Sequence, residues 1–311
     1  MSDRSVSVGL VLEPGGIDTQ YGRGAYLGIE RAVKELGIRG RVLTPAPREG
    51  YAPSLSLCAQ QGYDLVIMAG IFHTGSFSAP AVDTVAPRFP ETLFGIMDVP
   101  HDDLDHRPPN VLGIVFSEEQ AGFLAGYLAA LVLTLSPGEK VISSVGGHPV
   151  PAVKRYIAGY EAGARLVDPA ITTLNSYTDD FLDRLKGRSV AMSQIARGSR
   201  VLFQVAGTCG LGVLEAAQEQ GVWGIGVDVD QSALGPHILT SAVKKLDVAV
   251  FETIEQLVHG TLVTGGTSRF SLQDGGVGLG AVNERVPRWM IDQVESILAD
   301  VVAGKLSIPV R

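Results

Sequence analysis

A carboxylate and an ammonium group are placed near each other late in the chain, after a hydrophobic stretch. Asp228 closes an apolar run within residues 226–231, and Lys244 follows a second run that begins at Leu239. Ligands of open parallel sheets bind beyond the carboxyl ends of the strands, so both side chains are expected to face one cleft. A carboxylate accepts hydrogen bonds and an ammonium donates them. The pattern predicts a site for a polar small molecule.

Further candidate side chains lie at or near the ends of other expected strands. Tyr21, Phe72 and Phe203 carry rings that could stack on a planar ligand, although each could equally be a core residue. Asp18 lies in the loop after the first strand, where its carboxylate could accept N–H groups of a ligand or cap the next helix. Capping is also the alternative interpretation for Asp228.

Signals for catalysis are weak. No phosphate-binding loop, nucleophile elbow or zinc-binding His-Glu helix occurs in the sequence. Gly207 opens a Gly-rich turn whose amides could cradle an anion, but its spacing favours a simple tight turn. Cys209 in this turn would need an activating base to act as a nucleophile, and none is near it in sequence. His148 is a lone histidine that could line the cleft.

Residues 101–106 include two histidines and three aspartates, which are suitable ligands for a transition metal. They lie in a polar segment bounded by prolines, where charged side chains are easily solvated. A surface loop is therefore the favoured interpretation.

The composition indicates a globular protein. The 311 residues are 45% hydrophobic and 19% charged, with a formal net charge of −8, which disfavours a nucleic-acid or anionic-membrane surface. The two cysteines, Cys58 and Cys209, are expected to be buried free thiols. The longest apolar run, residues 121–135, is shorter than the ~20 residues that span a bilayer, so we expect a core helix. The first residues lack a secretory signal. Two interpretations are therefore open: a cytoplasmic protein, or a mature chain whose export signal has been removed.

Strands and amphipathic helices alternate along the chain, which predicts doubly wound parallel sheets in two α/β lobes. Strands are expected at residues 5–12, 41–44, 65–69, 92–97, 111–116, 140–145, 171–176, 201–205, 222–227 and 268–272. Helices are expected at residues 25–36, 55–61, 79–86, 117–135, 150–166, 211–220, 243–259 and 287–303.

Five segments together resemble the basic-membrane-protein, or purine nucleoside receptor, family of substrate-binding lipoproteins that serve ABC transporters. They are the Gly-rich turn at 15–22, the helix at 119–130, the Gly-Gly turn and helix at 145–160, and the segments 226–231 and 240–250. In the first turn, Ile17, Gln20 and Gly22 stand where the family usually has Asn, Ser and Asn.

The resemblance implies a type I periplasmic-binding-protein fold with a nucleoside held between the lobes. We expect one lobe at residues 1–116 plus 242–267 and the other at 117–241 plus 268–311, joined by a three-crossing hinge. By position, Asp18 would bond the base edge, Tyr21 and Phe203 would flank the ring, and Asp228 with Lys244 would hold the ribose hydroxyls. Phe72 and Gly207 complete the expected ligand-binding set.

The expected partners are a purine nucleoside or related nucleobase and an ABC permease, without cofactor, metal or nucleic acid. The resemblance implies a monomer outside the cytoplasm, whose only membrane attachment would be a lipid anchor that was removed together with the signal. One alternative is an enzyme acting on nucleosides or sugars, with Asp18 as acid or base and a second carboxylate suitably spaced. Another is a cytoplasmic ligand-sensing regulator, which would act through a protein partner because no basic segment precedes the first strand.

Overall fold

The chain forms two compact α/β units in a computed structural model that describes residues 5–46, 50–70, 72–73, 76–77, 79–136, 138 and 140–308. The first unit comprises Met1–Phe116 and Lys245–Phe270, and the second comprises Ser117–Lys244 and Ser271–Arg311. The chain therefore passes between the units three times.

Alternating elements fill both units. The strands are β1 Ser7–Leu12, β2 Arg39–Leu43, β3 Leu65–Ala69, β4 Phe72–His73, β5 Ser76–Phe77, β6 Leu93–Met97, β7 Val111–Phe116, β8 Val141–Gly146, β9 Thr172–Tyr177, β10 Val201–Val205, β11 Trp223–Asp228, β12 Ile238–Lys244, β13 Gly266–Phe270 and β14 Val277–Leu279. The helices are α1 Gln20–Leu36, α2 Ala52–Gln60, α3 Ala79–Val85, α4 Glu118–Leu133, α5 Pro151–Val167, α6 Arg184–Ala196, α7 Cys209–Glu219, α8 Leu246–Val258 and α9 Arg288–Val302.

Each unit is built on a six-stranded sheet. The first sheet has the order β13-β7-β6-β3-β1-β2, and all its strand pairs are parallel. The second has the order β14-β12-β11-β10-β8-β9, with only β14 antiparallel. Strands β1, β3, β7, β8 and β10 are buried along their whole length, as expected for parallel strands covered on both faces. The predicted doubly wound parallel sheets are confirmed.

Helix α1 begins earlier than its apolar pattern predicted. Thr19 caps the helix, because its hydroxyl accepts the Gly22 amide at 2.9 Å, and Gly37 ends it in the left-handed conformation at φ 66°. The predicted start at residue 25 missed this first polar turn.

Helices α4 and α5 of the second unit lie unusually close together. Side chains at Gly122, Gly126, Gly159 or Gly163 would overlap backbone atoms of the facing helix, so only glycine permits this separation. Nearly all of α4 is buried, which confirms the predicted core helix. Among the described residues, no helix is long and apolar enough to cross a membrane.

Some element predictions were wrong. Ile238–Lys244 is a fully buried strand, so the helix predicted from residue 243 begins only at Leu246. Helix α6 and strand β14 were not predicted. The segment that returns to the first unit starts at Lys245 rather than 242, because β12 belongs to the second sheet. It ends at Phe270 rather than 267, because β13 pairs with β7 of the first sheet.

Candidate functional site

Two predicted ligand-binding residues end neighbouring strands of the second sheet. Asp228 is the last residue of β11 and Lys244 the last of β12, and the parallel register pairs Asp228 with Val243. Asp228 is half-buried and adopts φ 64°, a left-handed conformation that costs about 1–2 kcal/mol for a residue with a Cβ atom. Such conformations concentrate at functional sites.

Lys244 pairs with a carboxylate that the sequence interpretation had treated only as part of a helix start. Its Nζ lies 3.1 Å from Oε1 of Glu118, with side-chain exposures of 2% and 0%. The contact is a buried ion pair. Arg155 donates from Nε to the other oxygen of Glu118 at 2.7 Å. A buried carboxylate thus lies between two cations.

Tyr156 joins this ionic group to Asp228. Its hydroxyl donates to Oδ1 of Asp228 at 3.4 Å, and its ring centroid lies 5.8 Å from the Lys244 ammonium. Glu118 and Asp228 carry two negative charges, and Arg155 and Lys244 carry two positive ones. The cluster is therefore balanced in charge, as buried ionisable groups require.

Buried amides and a hydroxyl fix the turn that follows Asp228. The Gln231 side-chain oxygen accepts the Val227 amide at 2.9 Å and the Gln204 side-chain NH₂ at 2.8 Å. The Gln231 backbone N–H donates to the Ser241 hydroxyl at 3.0 Å. These bonds join the ends of β10 and β11 to the middle of β12, and they hold the backbone on both sides of Asp228. The short helix Ser232–Leu234 has Gln231 as its N-cap, without a side-chain cap bond, so Asp228 does not cap it; Asp230 accepts the Ser232 amide at 3.0 Å in the turn before it.

Phe203 lies inside β10 with no exposed surface. Its ring is 5.9 Å from that of Tyr156 and 5.1 Å from that of Tyr160, centroid to centroid. This position agrees with the core alternative and makes Phe203 a support for Tyr156.

The first unit contains a second tyrosine–aspartate pair. The Tyr21 hydroxyl donates to Oδ2 of Asp98 at 2.8 Å. Asp98 directly follows β6, is 5% exposed and, like Asp228, adopts a left-handed conformation at φ 66°. Tyr21 is the second residue of α1 and is half-buried.

Asp18 is exposed at the end of the short helix Gly16–Asp18 that follows β1. Thr19 caps α1, so the capping alternative for Asp18 is wrong. The turn requires glycine at Gly15 and Gly16, whose φ values are 92° and 54°. Contact between the Asp18 carboxylate and a ligand remains a prediction.

The Gly-rich turn before α7 is already occupied by protein contacts. Gly207 adopts φ 56°, and the Cys209 amide donates to the Phe181 carbonyl at 3.0 Å. Burial raises the pKa of the Cys209 thiol, which disfavours the thiolate that a nucleophile requires. His148 is half-buried with its ring edge against Phe181 at 5.2 Å. These features support the tight-turn interpretation, and both cysteines are buried free thiols as predicted.

The histidines of residues 101–106 have separate protein partners. His101 donates from Nε2 to the Pro108 carbonyl at 3.0 Å, and His106 donates from Nδ1 to Asp83 at 2.7 Å. His101 is 6% exposed, so it is not on a solvated surface as the loop interpretation had assumed. Within the described ranges, no three His, Cys, Asp or Glu residues are grouped to hold a metal ion. Phe72 lies in β4, and its side chain is outside the described part of the structure.

The predicted residues of the second unit converge, whereas several of their partners were missed. Glu118 and Tyr156 gave no separate sequence signal, because each sits in an ordinary helix. Only Asp98 could have been selected in advance, as an acidic residue directly after a buried strand.

Comparison with known proteins agrees with this architecture. The family described as Bmp, ABC transporter substrate-binding protein PnrA-like, matches residues 6–311. An uncharacterized lipoprotein of Pyrococcus horikoshii is 31% identical over 88% of this chain and 69% of its own length. Basic membrane protein B of Borrelia garinii subsp. bavariensis is 34% identical over 75% of this chain and 67% of its own.

Solved structures share the fold. An ABC transporter system solute-binding protein from Aeropyrum pernix superimposes with a TM-score of 0.84 at 24% identity, over 98% of this chain and 94% of that one. One from Conexibacter woesei has a TM-score of 0.74 at 25% identity, over 98% and 99%. The type I periplasmic-binding fold implied by the resemblance is confirmed, and the chain belongs to the Bmp family of PnrA-like ABC transporter substrate-binding proteins.

Proposed function

We propose that this substrate-binding protein captures a purine nucleoside, or a related nucleobase, for an ABC permease. The observation that carries the proposal is the placement of Asp228 and Lys244 at the ends of two adjacent parallel strands, β11 and β12. Each ribose hydroxyl both donates and accepts a hydrogen bond. A carboxylate beside an ammonium offers the matching acceptor and donor.

The first unit would recognise the base in this proposal. Asp18 has an exposed carboxylate that can accept N–H groups, and the half-buried ring of Tyr21 offers an apolar face. Asp98 fixes the orientation of Tyr21 through its hydroxyl. The core position of Phe203 supports a role beneath Tyr156 rather than one in stacking on the ligand.

The test is ligand-induced stabilisation of protein that has been unfolded and refolded to remove any bound solute. Purine and pyrimidine nucleosides, free bases, ribose and amino acids are compared, with chromatography of the ligand after incubation. A ligand at ~100 times its dissociation constant adds about 2.7 kcal/mol of stability, which gives a clear melting shift. Stabilisation by purine nucleosides without conversion supports the proposal. No response to any nucleoside or base contradicts it, and product formation favours the enzyme alternative.

The same proposal places the protein outside the cytoplasm as a monomer. The lipoprotein names of its relatives support this location. Fatty-acid labelling of the full-length gene product would test the anchor, and light scattering would test for a mass near 32.8 kDa.

A ligand-sensing regulator is the second candidate. One observation favours it: a transcriptional activator of the comK gene from Bacillus halodurans shares the fold, with a TM-score of 0.81 at 20% identity. Recovery of unlabelled full-length protein in the cytosol would favour this candidate over the importer component.

A further inference from the structure

Glu118 occupies an unusual place for a carboxylate. It is completely buried in the first turn of α4, directly after the chain enters the second unit at Ser117. The amino end of a helix favours a negative charge, but burial of an unpaired carboxylate is strongly unfavourable. The two cations that touch it, Arg155 and Lys244, explain how the charge is tolerated.

Lys244, whose side chain is 2% exposed, is the partner that the proposed function assigns to the ligand. It is the last residue of β12, and the chain leaves the second unit at the next residue, Lys245. A lysine side chain has four flexible carbons and loses considerable rotamer entropy when it is held in one position. A fixed carboxylate on its buried side keeps the ammonium at the strand end before a ligand arrives, which lowers the cost of binding.

The two carboxylates near Lys244 are held by consecutive residues of α5. Arg155 contacts Glu118 at 2.7 Å, and Tyr156 contacts Asp228 at 3.4 Å. Of these carboxylates, only that of Asp228 is half-exposed, whereas Glu118 has no exposed surface. Their environments therefore separate a ligand-facing carboxylate from one that acts inside the protein.

We infer that Glu118 is a positioning residue that holds the Lys244 ammonium for the ligand, with Arg155 fixing Glu118 in turn. The role of Lys244 as a ligand group rests on the proposed function. Glu118 itself contacts no ligand in this scheme. Its loss should therefore act through Lys244 alone.

The test is a double-mutant cycle of Glu118→Gln, Lys244→Met and the double variant, measured by calorimetry with adenosine, inosine and their free bases. We expect Glu118→Gln to weaken the binding of nucleosides roughly tenfold and the binding of free bases less than about twofold. In the Lys244→Met background, Glu118→Gln should change nucleoside affinity less than about twofold, since its target is gone. Equal losses for nucleosides and bases, or losses that multiply in the double variant, overturn the inference.

A matched control comes from the same unit. Lys140 and Asp168 form an ion pair with the same Nζ–O distance of 3.1 Å, but both are partly exposed. Asp168→Asn should leave nucleoside affinity within about twofold. If Glu118→Gln fails to fold, Glu118→Asp keeps the charge and shortens the side chain by one carbon. It should weaken nucleosides selectively, and an unchanged nucleoside-to-base ratio overturns the inference.

A failure of the proposed function is distinguishable. If the wild-type protein binds no nucleoside, the proposed function fails. The double-mutant cycle is then measured as free energies of unfolding in urea without ligand. Both tryptophans, Trp223 and Trp289, belong to the second unit, so their fluorescence follows the unit that contains the pair. Strong coupling between the two substitutions then supports the positioning role for another ligand, and additive effects overturn it.

Discussion

The two tyrosine–aspartate pairs, one in each unit, occupy equivalent places in their sheets. Asp98 follows β6 and Asp228 ends β11, and each strand is third from the edge that β13 or β14 forms. Tyr21 and Tyr156 lie on helices that follow the fifth strands, β1 and β8. Both aspartates have left-handed backbones. The same topology has therefore produced the same pair twice.

The surroundings of the pairs differ. The strand beside β11 ends in the buried ion pair of Lys244, whereas the equivalent strand beside β6 ends in Phe116, which packs on Phe270 with ring centroids 5.6 Å apart. Asp98 is 5% exposed and Asp228 is half-buried. The fold therefore supplies the location of a polar group, and the adjacent strand end decides whether the surroundings of that group are ionic or apolar.

The aromatic support of the second pair gives the largest expected effect. Phe203→Ala should lower the free energy of unfolding by about 3–5 kcal/mol, because it removes a completely buried ring from below Tyr156. Urea unfolding followed by tryptophan fluorescence measures this. Leu182→Ala, at a side chain 63% exposed, is the control and should change stability by less than about 0.5 kcal/mol. Unchanged stability with weakened purine binding would instead indicate stacking on the ligand.

The aspartates themselves separate the ionic site from the apolar one. Asp228→Asn should reduce the binding free energy of nucleosides by about 1.5–3 kcal/mol relative to that of free bases, because a charged acceptor for the ribose is lost. Asp98→Asn should leave the nucleoside-to-base ratio unchanged. Calorimetry with matched nucleosides and bases gives both ratios. A similar ratio change for the two variants would show that the pairs are functionally equivalent.

The two tyrosine hydroxyls should differ in their contribution to the free energy of unfolding. Tyr21→Phe removes a 2.8 Å donor from a nearly buried carboxylate and should cost about 1–3 kcal/mol. Tyr156→Phe removes a 3.4 Å contact to the half-exposed carboxylate of Asp228 and should lower the free energy of unfolding by about 0.5–1.5 kcal/mol. Circular dichroism in urea follows both units, and tryptophan fluorescence follows the second. A larger loss for Tyr156→Phe would contradict the ranking.

Acidification should give the smallest effect and should act on the second unit. Burial, assisted by Arg285, lowers the pKa of His237 below its usual 6.5. The folded state therefore favours the neutral ring, so stability is complete above about pH 6.5 and falls as the pH drops below it. His237→Gln should flatten this part of the pH profile of the tryptophan-detected unfolding midpoint. An identical profile in the variant would assign the pH dependence to other groups.

The sequence was a good guide where local pattern determines structure. Alternating apolar segments located most strands, and the strand-end rule brought Asp228 and Lys244 to adjacent positions. Strand β12 was missed because its final residues continue without a break into the apolar pattern of α8. Helix α6 was missed because its buried residues are Gly187, Ala191 and Gln194, which give no apolar periodicity.

Site partners were harder to predict than site location. Glu118 meets Arg155 and Lys244 only after two distant helices and a strand have packed, and no local pattern encodes that meeting. Phe203 shows another limit of prediction from the sequence. It was expected near a strand end but is the third of the five residues of β10, and its ring packs against Tyr156 and Tyr160 of another element.

The glycine contacts between α4 and α5 constrain how this protein can evolve. Glu118 is carried by α4, and Arg155 and Tyr156 are carried by α5, so the separation of the two helices sets the positions of both carboxylates' partners. At Gly126 even a methyl group would overlap the Tyr160 carbonyl oxygen. New ligand preferences are therefore accessible through the loops at the strand ends, whereas the two helices can change only as a matched pair.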